Sequence, residues 1–176
     1  RMKDKPASTL LHLGPGLANG LANIHNAKRA SSGMVNIIGE HSASHLKYDP
    51  PLTSDIEGLA RPLSHWVRRA ESADSIAWDT AQAVAKASQH PGQIATLILP
   101  GDTSWQQTRA APVVPPPVAA SRKTPSADRI DHVARVLRSG EPTLIILANK
   151  AMRGAALEKA GRVAAATGAQ LGSQFF

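Results

Sequence analysis

The residues best placed to do chemistry stand near the start of the chain, where His12 is followed by Gly14-Pro15-Gly16 and then by Asn19. An imidazole takes up and gives off protons near neutrality. Glycines let a ligand come close to the main chain, and a helix that begins there presents backbone N–H groups without partners, which favours a phosphate or another polar cofactor group. Such a turn also serves as a plain connection, in which Gly14 and Gly16 supply the backbone freedom to pass from strand to helix. His12 has the same two readings: a proton-transfer group, or an imidazole satisfied by backbone at a strand end. Asn19, Asn23 and Asn26 recur at i, i+4 and i+7, so they share one helical face. For Asn23 and Asn26 that face reads as an ordinary wet surface.

A second cluster, Glu40-His41-Ser42-Ala43-Ser44-His45, would bring His41 and His45 together if it were helical, with Glu40 as a third metal ligand. The spacing lacks the HExxH arrangement, and no metal site is assigned. The segment is read as a cleft wall, with Glu40 and His41 near substrate. Tyr48 and Asp49 read as turn anchors, and Trp66, Trp78 and Trp105 as core or interface fillers.

The elements that must position these groups alternate as in βαβ units. Thr9–Leu13 is expected as a strand, Leu17–Ala30 as a helix and Met34–Ile38 as a strand ended by Gly39. A loop from Glu40 to about Thr53 leads to a short helix, Ser54–Ala60, capped by Thr53 or Ser54. Leu63–Val67 follows as a short strand and Ser72–Ser88 as a helix with Ile76, Ala77, Ala81, Val84 and Ala85 on one side. Ile94–Leu99, continuously apolar, suits a strand covered on both faces. Prolines 112, 115, 116, 117 and 125 then mark a linker without an apolar face. Beyond it, Ser126–Ser139 reads as a helix, Thr143–Ala148 as a buried strand and Arg153–Thr167 as a helix. This second βα pattern is too short to close a sheet core, and the first strand has scarcely any lead-in, so an excerpt of a longer protein is expected.

Composition narrows the classes. The 176 residues include 42% hydrophobic types, and no apolar run reaches the roughly 18 residues of a membrane helix, so no membrane partner is expected. The absence of cysteine removes disulfides, thiol nucleophiles and thiolate metal sites, and fits a reducing cytoplasm. A net charge of +7 raises nucleic acid as a partner, but the cations are scattered and aromatics are only 3%, so nucleic acid is not the expected ligand.

The stretch Lys5-Pro6-Ala7-Ser8-Thr9-Leu10-Leu11-His12-Leu13-Gly14-Pro15-Gly16-Leu17-Ala18-Asn19-Gly20 resembles the strand, glycine turn and helix in the pyrimidine-binding domain of thiamine-diphosphate enzymes of the acetolactate synthase and benzoylformate decarboxylase group. Val35-Asn36-Ile37-Ile38-Gly39-Glu40, Asp55 to Trp66 with Arg61-Pro62-Leu63, and Gly92 to Asp102 resemble later segments of that domain, in order. Gln93 stands where the family usually has proline, and Glu40 where it usually has glutamine. Ala127 to Phe176 looks like the opening of the family's central domain.

The resemblance implies an α/β fold: a parallel-sheet, three-layer pyrimidine-binding domain lacking its N-terminal part over residues 1–105. A proline-rich linker, 106–124, and the start of a Rossmann-like central domain, 125–176, would follow. It also implies an enzyme that makes or breaks carbon–carbon bonds beside the keto group of a 2-keto acid, with thiamine diphosphate carrying the hard chemistry. Gly14, Pro15, Gly16 and Asn19 would touch the cofactor, His12 would move protons, and Glu40 and His41 would line the substrate cleft. The family's activating glutamate lies upstream of the glycine turn. Its Mg2+ and diphosphate motif lies in a C-terminal domain, so neither is expected here and this piece alone is not expected to turn over. FAD in the central domain, as in the synthases, and a homodimer or homotetramer are further implications.

Overall fold

The computed structural model describes residues 5–109 and 124–173, so most of the expected linker, 110–123, lies outside the described residues. Two compact units divide between residues 121 and 122. The first is built from β1 (Ala7–His12), α1 (Leu13–Arg29), β2 (Met34–Glu40), α2 (Ala43–Leu46), α3 (Ile56–Ala60), β3 (Trp66–Arg69), α4 (Ile76–Ala87), β4 (Ile94–Pro100) and α5 (Gly101–Trp105). Its sheet is parallel throughout, in the order β1-β2-β4-β3.

A parallel sheet needs cover on both faces. Register alternation turns Ile38 of β2 and Ile94 and Ile98 of β4 to one face, where Leu17 and Ile24 of α1 and Ile56 and Ala60 of α3 pack on them. Val35 and Ala95 point the other way, against Ala83 and Ala87 of α4, whose methyl side chains let the helix lie close. The result is the expected α/β sandwich of three layers. β4 sits inside the sheet with every residue but Leu99 buried, which is why its sequence is apolar but for Thr96, whose hydroxyl finds partners inside the layers.

Two polar devices lie within these layers. The Thr9 hydroxyl donates to Asn36 Oδ1 (2.8 Å), the Asn36 amide donates to Thr96 Oγ1 (3.3 Å), and the Ser64 and Thr96 hydroxyls share a bond of 2.8 Å. Asn36 and Thr96 are fully buried, so this ladder satisfies groups that would otherwise be orphaned. On the α4 side, the buried Asp79 carboxylate lies 2.7 Å from Arg68 Nε without a directed hydrogen bond, a Coulombic pair.

Several boundaries differ from expectation for identifiable reasons. β1 ends at His12 and α1 begins at Leu13, so Gly14-Pro15-Gly16 is the first turn of the helix and not a loop before it. The first N–H groups of a helix have no intrahelical acceptor, so Pro15 forfeits nothing there. Nor do the two glycines supply left-handed backbone: the residue with positive φ is Leu13, at 55°. Gly14 is required by space, since a Cβ there would lie 2.2 Å from both Cβ and Oγ of Ser54. The cap of α3 is Asp55, whose carboxylate accepts the Gly58 N–H at 2.8 Å, and not Thr53 or Ser54. β3 covers Trp66–Arg69 instead of Leu63–Val67, its arginines being neutralised by carboxylates of other elements.

The second unit contains α6 (Ala127–Leu137), β5 (Leu144–Leu147), α7 (Gly154–Thr167) and β6 (Gln170–Ser173), with β5 and β6 parallel. Gly168 ends α7 in the left-handed conformation glycine favours, φ 72°. The expected burial of the strand at 143–148 is corrected: alternate residues Leu144 and Ile146 are exposed. Among the described residues, no helix is long and apolar enough to cross a membrane.

Candidate functional site

Open parallel sheets collect ligands at the carboxyl ends of their strands. At that edge His12, Gly39 and Leu99 are in-register neighbours on β1, β2 and β4. All three point to the α4 side of the sheet, where His12 is exposed. Gly39 forms an open floor between them: a Cβ built there meets no atom nearer than 3.9 Å.

The first turn of α1 rises from the same edge. His12 makes no side-chain cap, and the turn contains no acidic residue, so its N–H groups stay available to a ligand. Gly14 is buried and occupied by packing on Ser54, whereas the nearest atom to a Cβ at Gly16 would be Leu11 C at 3.4 Å. A methyl at position 16 would thus lie in ordinary contact with the Leu11–His12 end of β1, and Pro15 beside it is exposed. Asn19 is exposed, six residues into α1 and so about 9 Å along it. Asn23 and Asn26 are exposed too, but lie roughly 15 and 20 Å along, beyond contact with a ligand at the edge.

Glu40 and His41 separate. Glu40 belongs to the face covered by α1 and α3, opposite His12, and its side chain is 1% exposed. Its Oε2 lies 3.2 Å from Arg69 Nη1 and its Oε1 accepts the His41 N–H at 2.9 Å. The carboxylate is thus turned under the edge and fully engaged. His41 opens the loop, with its ring edge-on to His45 at 5.6 Å and its Nε2 shielded without a hydrogen-bond partner among the described residues. Asp102, in the first turn of α5, accepts the Ala43 N–H at 3.2 Å. Tyr48 and Asp49 do form a turn beside α2, where Lys47 Nζ sits 4.9 Å from the Tyr48 ring centre. Trp66 packs on the core, whereas Trp78 and Trp105 are exposed, the latter by 82%. Among the described residues, no group of three His, Cys, Asp or Glu side chains is placed to hold a metal ion. Arg69, which links β3 to the end of β2, escaped the reading of the sequence. Its only signal was a paired arginine at the close of an otherwise apolar stretch.

With both nearby carboxylates engaged by the protein, the edge is rich in donors: helix-start N–H groups, an imidazole and an amide. It suits a ligand that presents acceptor atoms. Residues 1–59 match the family model described as thiamine pyrophosphate enzyme, N-terminal TPP binding domain. The first third of the chain thus carries the sequence pattern of a thiamine pyrophosphate enzyme domain. Over 171 residues, 97% of this chain and 32% of the relative, it is 48% identical to a Mycobacterium tuberculosis protein provisionally named acetolactate synthase large subunit IlvX. The chain thus spans about a third of that relative's length.

Solved structures agree on the fold. A thiamin diphosphate-dependent enzyme of Mycobacterium smegmatis, provisionally so named, superposes with a TM-score of 0.85 over 97% of this chain and 33% of its own, at 22% identity. The benzoylformate decarboxylase of Polynucleobacter necessarius gives 0.69 at 25% identity over 81% and 27%. The 4-hydroxybenzoylformate decarboxylase of Rhodococcus jostii gives 0.67 at 22% identity over 79% and 27%.

Proposed function

We propose that this chain supplies the pyrimidine side of a thiamine-diphosphate site in a longer enzyme acting on 2-keto acids, with acetolactate-synthase-like carboligation as its reaction. The observation that carries the reading is the uncapped start of α1 beside exposed His12 and the open floor at Gly39. Pro15, Gly16 and Asn19 would hold the cofactor's pyrimidine ring and the path towards its diphosphate; Gly14 would serve them by fixing α1 against Ser54. His12 would carry protons to and from bound substrate, and His41 would wall the cleft. When bound, thiamine diphosphate supplies the electron sink for breaking or making a bond next to the keto group. Mg2+ would be held with the diphosphate by a domain outside this chain, FAD is assigned to the parent only if it is a synthase, and the parent would be a cytoplasmic homodimer or homotetramer.

A second reading, a 2-keto acid decarboxylase like the benzoylformate enzymes, is favoured by the exposed His12 at the β1 end and by the likeness to those two structures. One experiment separates the readings. The full-length protein is titrated calorimetrically with thiamine diphosphate and Mg2+, with ATP and duplex DNA as controls, and its products from pyruvate are analysed. A longer hydroxy-keto acid supports the synthase and an aldehyde the decarboxylase. Binding of ATP or DNA without selectivity for thiamine diphosphate overturns both in favour of a phosphate-binding module.

A further inference from the structure

We propose that Arg69 is a positioning residue of the candidate site, acting through Glu40 to fix the backbone of the His41–Ala43 turn. The proposal rests on the reading of this edge as the cofactor site. Arg69 leaves the end of β3 and reaches across β4, which lies between β3 and β2, to Glu40 Oε2 at 3.2 Å. Its Nε lies 3.5 Å from Glu57 Oε1 of α3, and Glu57 in turn pairs with Arg61. The guanidinium therefore stands between two carboxylates and ties β2, β3 and α3 together at one end of the sheet.

Glu40 is the member that touches the turn. A carboxyl group 1% exposed has lost its water, and charge and hydrogen bonds from the protein must replace it. Arg69 occupies Oε2, which leaves Oε1 directed at the His41 N–H, 2.9 Å away. At the other end of the turn Asp102 holds the Ala43 N–H at 3.2 Å. The segment that carries the buried-edge histidine to the sheet edge is thus clamped twice, and one clamp depends on a cation from a different strand. A charge-assisted bond to a backbone N–H is stronger than a neutral one, so removing Arg69 loosens this turn even though it touches neither His41 nor the cofactor edge. The same logic accounts for a glutamate at position 40: a neutral glutamine could accept the His41 N–H but would leave the guanidinium without its counter-charge on β2.

The test follows the amide itself. Hydrogen exchange by mass spectrometry on the full-length protein reads a peptide over residues 40–46 and a reference peptide over 94–100, for wild type, Arg69→Gln, Arg69→Lys and Glu40→Gln. Thiamine diphosphate affinity is measured with Mg2+ present on the same samples. Exchange at 40–46 is expected to accelerate about tenfold or more in Arg69→Gln, to stay near wild type in Arg69→Lys, and to leave 94–100 unchanged in both. Cofactor affinity should fall at least fivefold in Arg69→Gln and recover in Arg69→Lys. Unchanged exchange at 40–46 in Arg69→Gln, or equal acceleration in both peptides, overturns the proposal. If Arg69→Gln does not fold, Glu40→Gln decides: wild-type exchange at 40–46 in that variant refutes the charge dependence. A wild type that fails to bind thiamine diphosphate sinks the cofactor reading alone, because the exchange pattern still reports the clamp.

Discussion

Gly14→Ala and Gly16→Ala look alike in sequence and should behave in opposite ways. A methyl group at position 14 would stand 2.2 Å from Cβ and Oγ of Ser54, well inside the 3.5–4 Å at which carbon atoms pack favourably. Relief requires the start of α1 to part from the segment leading into α3 by more than an ångström, and Leu17 and Ile56 of the same core move with them. Overpacking of this kind costs about 1–3 kcal/mol. For a unit of this size that lowers Tm by roughly 4–8 °C per kcal/mol.

At position 16 the nearest atom to the new methyl would be 3.4 Å away. Replacing glycine by alanine inside a helix gains about 0.5–1 kcal/mol, so Gly16→Ala should keep or raise Tm while weakening thiamine diphosphate binding, because its methyl would stand 3.5 Å from His12 Cβ and crowd the imidazole. The assay is thermal unfolding followed by circular dichroism, with cofactor titration of each folded variant. Ser54→Gly removes both clashing atoms, and the double variant Gly14→Ala/Ser54→Gly should recover most of the lost Tm. A Gly14→Ala protein with wild-type Tm, or a double variant no better than the single, would refute the packing argument.

Two further outcomes follow from the same geometry. His12→Ala in the full-length protein should lower kcat by about 100-fold or more, as loss of a proton-transfer group does, while leaving cofactor affinity within about twofold; steady-state kinetics and calorimetry check the two halves separately. Asn36→Leu should destabilise the fold by about 1–3 kcal/mol, because Thr9 and Thr96 lose their shared partner in the core. Adding Thr9→Val and Thr96→Val should return part of that loss, measured by denaturant unfolding.

The sequence alone determined the layered character of the first unit. A strand buried on both faces leaves little room for polar residues without partners, so Ile94–Leu99, apolar but for Thr96, read as a strand covered on both faces. Helix α1 was legible as Leu17–Ala30, though it begins four residues earlier, at Leu13. His12 ends β1 and Pro15 and Gly16 lie in the first turn of α1 at the same edge, because a helix that starts where a strand ends shares that side of the sheet.

Tertiary structure decided what depends on partners distant in the chain. Thr53, Ser54 and Asp55 are all competent helix caps, and only the meeting of the Asp55 carboxylate with the Gly58 N–H selects one. Arg68 and Arg69 look like the end of a strand until Asp79, Glu40 and Glu57 arrive from other elements to neutralise them. The face that Glu40 occupies follows from register against β4, sixty residues away in the chain. The need for glycine at position 14 follows from Ser54, forty residues on. Local pattern reports a residue's own preferences; which atoms fill its surroundings is set by chain segments that meet only when the sheet order β1-β2-β4-β3 has formed.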